Sequence, residues 1–515
     1  MHIFSRFKVY TTIILVTLLA LSLTFVITAK LAVHAAGPVI TLLPKTGSPN
    51  VKIQVAGKKF GVSETVSLTF DTATSLGTAT TDSTGAFTTS VTIPKTALPG
   101  NHTISAVGQT SGMSAQAIYL LATAWPSFGF DTQNSHFNNY ENVISTNNII
   151  HLTSDWSFTT GGSVHSAVTV DAHAAYVGSG NTLYAFDPNN KGALLWTATT
   201  GGAITSTPAV SGSYVYVGSQ DSKVYAFDGK TNGTLVWSYP TTGPINSSPL
   251  IYKGILYIGS SDHTVYALNS TTGKLIWSYT TGGAVNSSPA AYNNVLYIGS
   301  DDNNLYAFNA ATGALLWKAP TTGAIESSPA VDTGRVFVGS LDHHLYAFDA
   351  ATGALDWSYK TGGAVESSPA VDTGRVFVGS LDHSLYALDA TTGALDWSYP
   401  TGGAITASPA TSLGVVYITS ADHNLYAFNE NTHHLYWNKP TGAAIKSSPT
   451  VIVKTLIFVT SEDNKLYVYN HDGHLQIIIP LPNTGKIDAQ ATIANGLVYV
   501  CSMTSNVYVF HIPGF

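Results

Sequence analysis

One cysteine, Cys501, stands in 515 residues. That excludes an intrachain disulfide, a cysteine-based zinc cluster and a c-type haem attachment. Its distance from the N-terminus also removes a lipidated N-terminal cysteine. Charge is scarce as well: Asp, Glu, Lys and Arg make up 10% of the chain and the net charge is -7. With no basic stripe to neutralise phosphates, a nucleic-acid partner is excluded. Apolar residues at a 3.6-residue period are missing, which rules out helical and leucine-rich solenoids. No phosphate-binding Gly loop or zincin pattern occurs.

The sole long apolar run is at the start. Arg6 and Lys8 precede an uncharged stretch from Thr11 to Ala29, and Val33-His34-Ala35 offers small residues for cleavage before Ala36. Residues 1–35 therefore read as a secretory signal peptide, with an uncleaved N-terminal anchor as the alternative. The expected location is extracellular or at the cell surface, with any membrane contact made through that anchor alone.

What the chain has in abundance is a recurring tryptophan. Trp156, Trp196, Trp237, Trp277, Trp317, Trp357, Trp397 and Trp437 are 40 residues apart, or once 41. A fixed period of that length marks a repeat architecture. Each repeat reads as four short strands separated by Gly, Asn and Asp turns. Between residues 323 and 359 these are Ala324 to Val331, Arg335 to Gly339, Leu345 to Asp349 and Leu355 to Tyr359. Four-stranded sheets repeated around an axis form a β-propeller. First strands are expected to begin near Val164, Ile204, Ile245, Val285, Ile325, Val365, Ile405, Ile445 and Ile487. Fourth strands lie at the eight tryptophans and at Ile477. The strand at Trp156 would pair with the C-terminal strands and close the ring. The literal count is nine blades, with eight as the alternative if one terminal unit is incomplete. Residues 323–359 and 363–399 differ only at Ile325/Val365, His344/Ser384, Phe348/Leu388 and Ala351/Thr391, the trace of an internal duplication.

Ahead of the repeats, residues 37–121 alternate through short β-rich runs such as Val51 to Val55, Thr65 to Phe70, Phe87 to Ile93 and His102 to Val107. About seven such strands suggest an immunoglobulin-like sandwich. Gly77 to Phe87 and Pro99 to Ile104 resemble bacterial extracellular Ig-like modules, which implies a spacer. Residues 122–150 read as a polar linker leading into a propeller over 151–515.

Ala347-Phe348-Asp349-Ala350-Ala351-Thr352-Gly353-Ala354-Leu355-Asp356-Trp357 is a copy of A-x-D-x-x-T-G-x-x-x-W. Ala387 to Trp397 is another, and Ala307 to Trp317 carries Asn309 in the Asp place. The pattern resembles the tryptophan-docking motif of pyrroloquinoline quinone (PQQ) repeats. Trp125 to Asp131 resembles the lead-in of quinoprotein-type propellers. The resemblance implies that each Trp packs between blades while Asp and Thr-Gly shape the turn. The quinoprotein dehydrogenases of this superfamily use a disulfide between adjacent cysteines, a calcium ion beside the quinone and a catalytic Asp. Cys501 alone cannot make that disulfide, and no Asp here is singled out. The non-enzymatic branch uses the same repeats for protein contact.

Three sets of residues are candidates for chemistry. The first is one position in each first strand, just before the Ser-Ser-Pro where that tripeptide is present, expected innermost and facing the channel: His165, Thr205, Asn246, Asn286, Glu326, Glu366, Thr406, Lys446 and Asp488. Such a ring can hold calcium or a polar ligand, or simply meet channel water. The second set is the turn pairs Asp262-His263, Asp342-His343, Asp382-His383 and Asp422-His423. They carry metal-ligand chemistry, but at least one blade apart they should not converge, and turn capping is the favoured reading. The third is the Ser-Ser-Pro hydroxyls, which lack a recurring base and read as structural. The expectation is a monomeric, non-enzymatic propeller that needs no cofactor and binds a protein, a cell-wall polymer or a small polar ligand. The enzymatic alternative is a dehydrogenase using PQQ and calcium at a site with an aromatic platform.

Overall fold

A computed structural model describes residues 37–514 apart from 72–73, 126–128, 132–133, 453–455 and 483–484. The targeting segment and its cleavage site lie outside the described residues. Among the described residues no helix is long and apolar enough to cross a membrane. The chain divides into two compact units.

The smaller unit is built on two sheets. Val39–Leu43, Lys52–Lys58 and Phe87–Thr92 form an antiparallel three-stranded sheet. The other sheet holds Ser114–Leu121, Gly100–Gly108, Thr65–Phe70 and Thr74–Thr80, with the two-residue strand Thr46–Gly47 at its edge. Alternation along the strands buries Ile40, Leu42, Ile53 and Val55 from the first sheet, and Val66, Leu68, Phe70 and Ile104 from the second. Period-two burial of this kind is how a strand contributes one face to a core.

The larger unit contains nine sheets, eight of four strands and one extended to five by Phe137–Asn138. Blades 1 to 8 span residues 169–199, 209–240, 250–280, 290–320, 330–360, 370–400, 410–440 and 450–480. Blade 9 joins 492–511 to Thr153–Thr159. In blade 5 the strands are Ala330–Asp332, Arg335–Ser340, His344–Asp349 and Leu355–Lys360. Val336-Phe337-Val338 and Leu345-Tyr346-Ala347-Phe348 are buried without a break, because neighbouring blades cover both faces of the middle strands. The fourth strand is the rim, and only its Trp357 is buried.

Each tryptophan reaches the following blade. Trp317 Nε1 donates to Ala350 O at 3.2 Å and Trp277 Nε1 to Ala310 O at 2.8 Å. The ring lies on a glycine of the next turn: a Cβ at Gly353 would stand 2.5 Å from Trp317, and its φ of 72° also favours glycine. In that turn Asp349 Oδ1 accepts from Thr352 N at 2.8 Å.

Blade count and closure are both resolved. Thr153–Thr159 pairs antiparallel with Asn506–His511. Tyr499, Cys501 and Val507 of blade 9 share a core with Val164, Val177 and Phe186 at blade 1. On its other side blade 9 packs Val498, Val500 and Phe510 against Leu456, Phe458 and Val468 of blade 8, where Ile477 stands in the tryptophan place. The ring therefore has nine blades, one beyond the usual upper size, and the eight-bladed alternative is set aside.

The first strands correct the sequence reading. They start five residues later than expected, at Ala330 rather than Ile325 in blade 5, and run for only two or three residues. The preceding stretch is not strand, because its hydrogen bonds go elsewhere. Ile325 N donates to Ser300 O of blade 4, and Ala324 O accepts from Leu341 N. Pro329 then has no N–H to add to a ladder.

The described residues of 122–150, expected as a linker, belong to the propeller unit and meet its innermost strands. Trp125 bridges Val170 in blade 1, and Phe137–Asn138 adds a parallel strand to Val451–Ile452 in blade 8. Ser135 O accepts from Thr411 N in blade 7, and Asn138 Nδ2 donates to Ile493 O in blade 9 at 2.9 Å. First strands are sheet edges with unpaired backbone groups, and this polar segment pairs them. It fills the axis of the ring at the end where first strands finish.

Candidate functional site

The nine candidate positions lie at the other end of the axis, in the stretch just before each first strand. The structure links some of them into a belt. Gln220 Nε2 donates to Thr205 Oγ1 (3.2 Å) and to Asn246 Oδ1 (2.6 Å), and Asn246 Nδ2 donates to Asn286 Oδ1 (3.1 Å). Asn286 Nδ2 in turn donates to Asp301 Oδ2 (2.9 Å). Burial and the facing Glu326 raise the Asp301 carboxyl above its ordinary range. A second cluster sits in blades 8 and 9, where Lys446 and Lys486 pair with the two oxygens of Glu462 at 3.0 and 3.2 Å. Burial opposes ionisation of Glu462, but the two lysines outweigh it and hold the carboxyl low. Asp488 is half-buried, with Oδ1 lacking a hydrogen bond. His165, Glu366 and Thr406 are exposed and are not drawn into either cluster.

The partners that complete these clusters, Gln220, Ser261, Asp301 and Glu462, escaped sequence reasoning. They occupy one column, the residue immediately before the recurrent turn Asp. That column varies while its neighbour is Asp in seven of the nine blades, which was the available signal.

The fixed Asp is structural. Asp342 Oδ2 accepts from Thr322 N and from Tyr346 OH, both at 2.8 Å, and Oδ1 accepts from His344 N at 3.0 Å. Burial disfavours the carboxylate, yet these hydrogen bonds together keep its pKa below the ordinary value. Burial, then the bond to Asp342, pushes Tyr346 up to about 12. The following histidine only supplies the turn: His263, His343, His383 and His423 all have φ between 71° and 75°. Among the described residues no group of three His, Cys, Asp or Glu is placed to hold a metal ion.

The Ser-Ser-Pro hydroxyls also build structure. The first Ser turns into its own blade, as where Ser327 Oγ accepts from Gly339 N at 2.9 Å. The second links blades: Thr207 N donates to Ser248 Oγ, Ser248 N to Ser288 Oγ, Ser328 N to Ser368 Oγ and Ser408 N to Ser448 Oγ, at 3.0 to 3.1 Å.

At the filled end lies a cavity of about 270 Å³ between the 122–150 segment and the first strands of blades 3 to 5. Nearby, Glu430 is fully buried, and its Oε2 accepts from Thr373 Oγ1 at 2.8 Å. Burial, then the neighbouring Asp372, pushes its carboxyl up to about 7.

A PQQ and calcium site would need an aromatic face beside converging oxygen ligands. No Phe, Tyr or Trp occupies any of the nine candidate positions or the column of Gln220, Ser261, Asp301, Leu341, Leu381, Ala421, Glu462 and Met503. Asn246 and Asn286 are engaged with each other. The residues at that mouth do not fit the quinone.

With this geometry in place, the chain can be set beside known proteins. Two family profiles match parts of it: the β-propeller of the beta-alanine-activating enzyme over residues 290–514, and outer membrane protein assembly factor BamB over 179–324. No curated protein matches. Among solved structures, BamB from Moraxella catarrhalis is 20% identical with a TM-score of 0.50, covering 59% of this chain and 96% of its own. Quinohemoprotein alcohol dehydrogenases from Comamonas testosteroni and Pseudomonas putida HK5 are 14% and 16% identical with TM-scores of 0.58 and 0.56. Each covers 76% of this chain and 81% of its own. The chain is thus a β-propeller of the type shared by BamB and the quinoprotein dehydrogenases.

Proposed function

We propose that this chain is a secreted or cell-surface, non-enzymatic propeller that serves as a binding scaffold for a protein or a cell-envelope polymer. The smaller unit acts as an Ig-like spacer. The observation that carries the reading is the filled axis: residues 122–150 use their polar groups to pair first strands of blades 1, 7, 8 and 9. The open mouth holds side chains bonded to one another and no aromatic platform. The profile match to a protein named as an outer membrane protein assembly factor supports contact with envelope proteins. The test is titration of the secreted protein with PQQ and calcium, followed by a dye-linked assay on alcohols and sugars. Neither tight PQQ binding nor turnover is expected. Oxidation of either substrate class by the loaded protein would overturn the reading in favour of a dehydrogenase.

A further inference from the structure

Four pairs of neighbouring blades are tied through the second Ser of the recurrent Ser-Pro turn: 2 to 3, 3 to 4, 5 to 6 and 7 to 8. No such bond joins blades 4 and 5 or blades 6 and 7, and the first of these gaps borders the cavity. Ser288 N makes no bond to Ser328 Oγ, although the flanking links Ser248 to Ser288 and Ser328 to Ser368 are intact. The Ser328 hydroxyl has no partner among the described residues, and the Ser248 and Ser288 hydroxyls accept a bond while their own protons are free. All three face the cavity beside this break.

The cavity's remaining walls are unlike those of a packed core. Phe130 and Tyr252, both half-buried, line it together with Pro249, Pro289 and Pro329, which add apolar surface. Phe130 is held at a φ of 73°. A bulky residue adopts that conformation only at a cost of roughly 1–3 kcal/mol, and such residues gather at ligand sites. Tyr252 is braced from outside by Lys253, whose Nζ lies 5.3 Å from the ring centroid. Among the described residues the one charged side chain in the lining is Asp131, whose carboxylate already accepts from Ser135 N and Oγ at 3.0 and 2.5 Å.

These groups define a ligand. Among the described residues no cation lines the space, so an anion is not served. Asp131 is committed to Ser135, so a strong cation is not demanded. The volume of about 270 Å³ falls just short of the ~300 Å³ at which drug-sized pockets begin. Apolar walls with a row of free hydroxyl donors suit a small neutral polyol, whose C–H face can lie on a ring while its oxygens accept from Ser.

We propose that this cavity binds a single neutral sugar unit, stacked on Tyr252 and Phe130 and hydrogen-bonded by Ser248, Ser288 and Ser328. This rests on the scaffold reading and names its ligand class, the sugar unit of an envelope polymer.

The test uses the full secreted chain and ligand-observed NMR with glucose, galactose and N-acetylglucosamine. Binding of at least one is expected, with a dissociation constant in the millimolar range or tighter. Ser328→Ala removes a hydroxyl that holds nothing in the protein and is expected to weaken binding about five-fold. Tyr252→Ala is expected to weaken it more than ten-fold. Unchanged thermal unfolding of both variants separates loss of the site from loss of the fold. No binding of any of the three sugars at tens of millimolar overturns the site, and so does binding that both variants leave intact. Sugar oxidation on addition of PQQ and calcium would overturn the non-enzymatic reading while the variants still report on the site.

Discussion

At the residue scale, the same side-chain types serve opposite ends according to burial. Asp342 is ionised because hydrogen bonds outweigh its burial, whereas Glu430 is pushed up to about 7 because burial and Asp372 dominate. The consequence for stability has a definite sign. The folded state holds the Glu430 proton more tightly than the unfolded chain does. Stability therefore falls as pH rises from about 4.5 to about 7, and the penalty is complete above that. Glu430→Gln removes the ionisation. Denaturant unfolding should show the variant more stable by about 2–3 kcal/mol near pH 8, with the difference fading towards pH 4.5. The Asp of each Asp-His pair was readable from sequence as a turn acceptor, because Asp accepts backbone N–H groups in tight turns. Its Tyr partner and the belt of Gln220, Asn246 and Asn286 were not, since they join residues 15 to 40 apart through a geometry that only packed blades create.

At the element scale, the tryptophan-bearing strands were legible and the innermost strands were not. A rim strand announces itself by one large ring among polar neighbours, as at Leu355–Lys360. The stretch before Ala330 alternates Ile325 with polar Glu326 and Ser327 as a strand would, yet Ile325 spends its N–H on the neighbouring blade. The 122–150 segment misleads for the opposite reason. Its Asn and Ser content reads as a solvated linker, whereas Asn138, His136 and Glu141 are fully buried. Polar composition signals exposure only when no sheet edge needs pairing, and that need is invisible without the ring. Asn138 carries much of the seam: Nδ2 donates to Thr123 O and Ile493 O, and Oδ1 accepts from Tyr140 N and Glu141 N. Asn138→Ala should lower unfolding stability by about 2–4 kcal/mol and speed hydrogen exchange in blades 8 and 9.

At the scale of the whole molecule, the ring tolerates an extra blade because each blade contacts only its two neighbours. The nearly identical blades 5 and 6 show the same ion pair in each copy, Arg335 with Asp356 and Arg375 with Asp396, both at 2.8 Å. In such arrays stability is close to a sum of units and interfaces. Deleting residues 323–362 joins equivalent points of the two copies. The product should fold cooperatively as an eight-bladed ring with a lower denaturation midpoint, because one blade and one blade–blade interface are lost. Circular dichroism with solution scattering checks this, and a chain that fails to fold would refute it.

Closure by Thr153–Thr159 against Asn506–His511 also sets a schedule. Thr159 bonds Asn506 across 347 residues. At ribosomal speeds the early strand waits on the order of tens of seconds for its partner to be made. During that interval blade 1 has no neighbour on one side and the Trp156 strand has no sheet, so the growing chain presents a bare edge. Contacts this distant in sequence also form slowly. Production yield is then governed by how well the nascent chain is protected until blade 9 emerges. Substitutions within 492–511 should act first on how much folded protein is recovered, before they alter what the folded protein does.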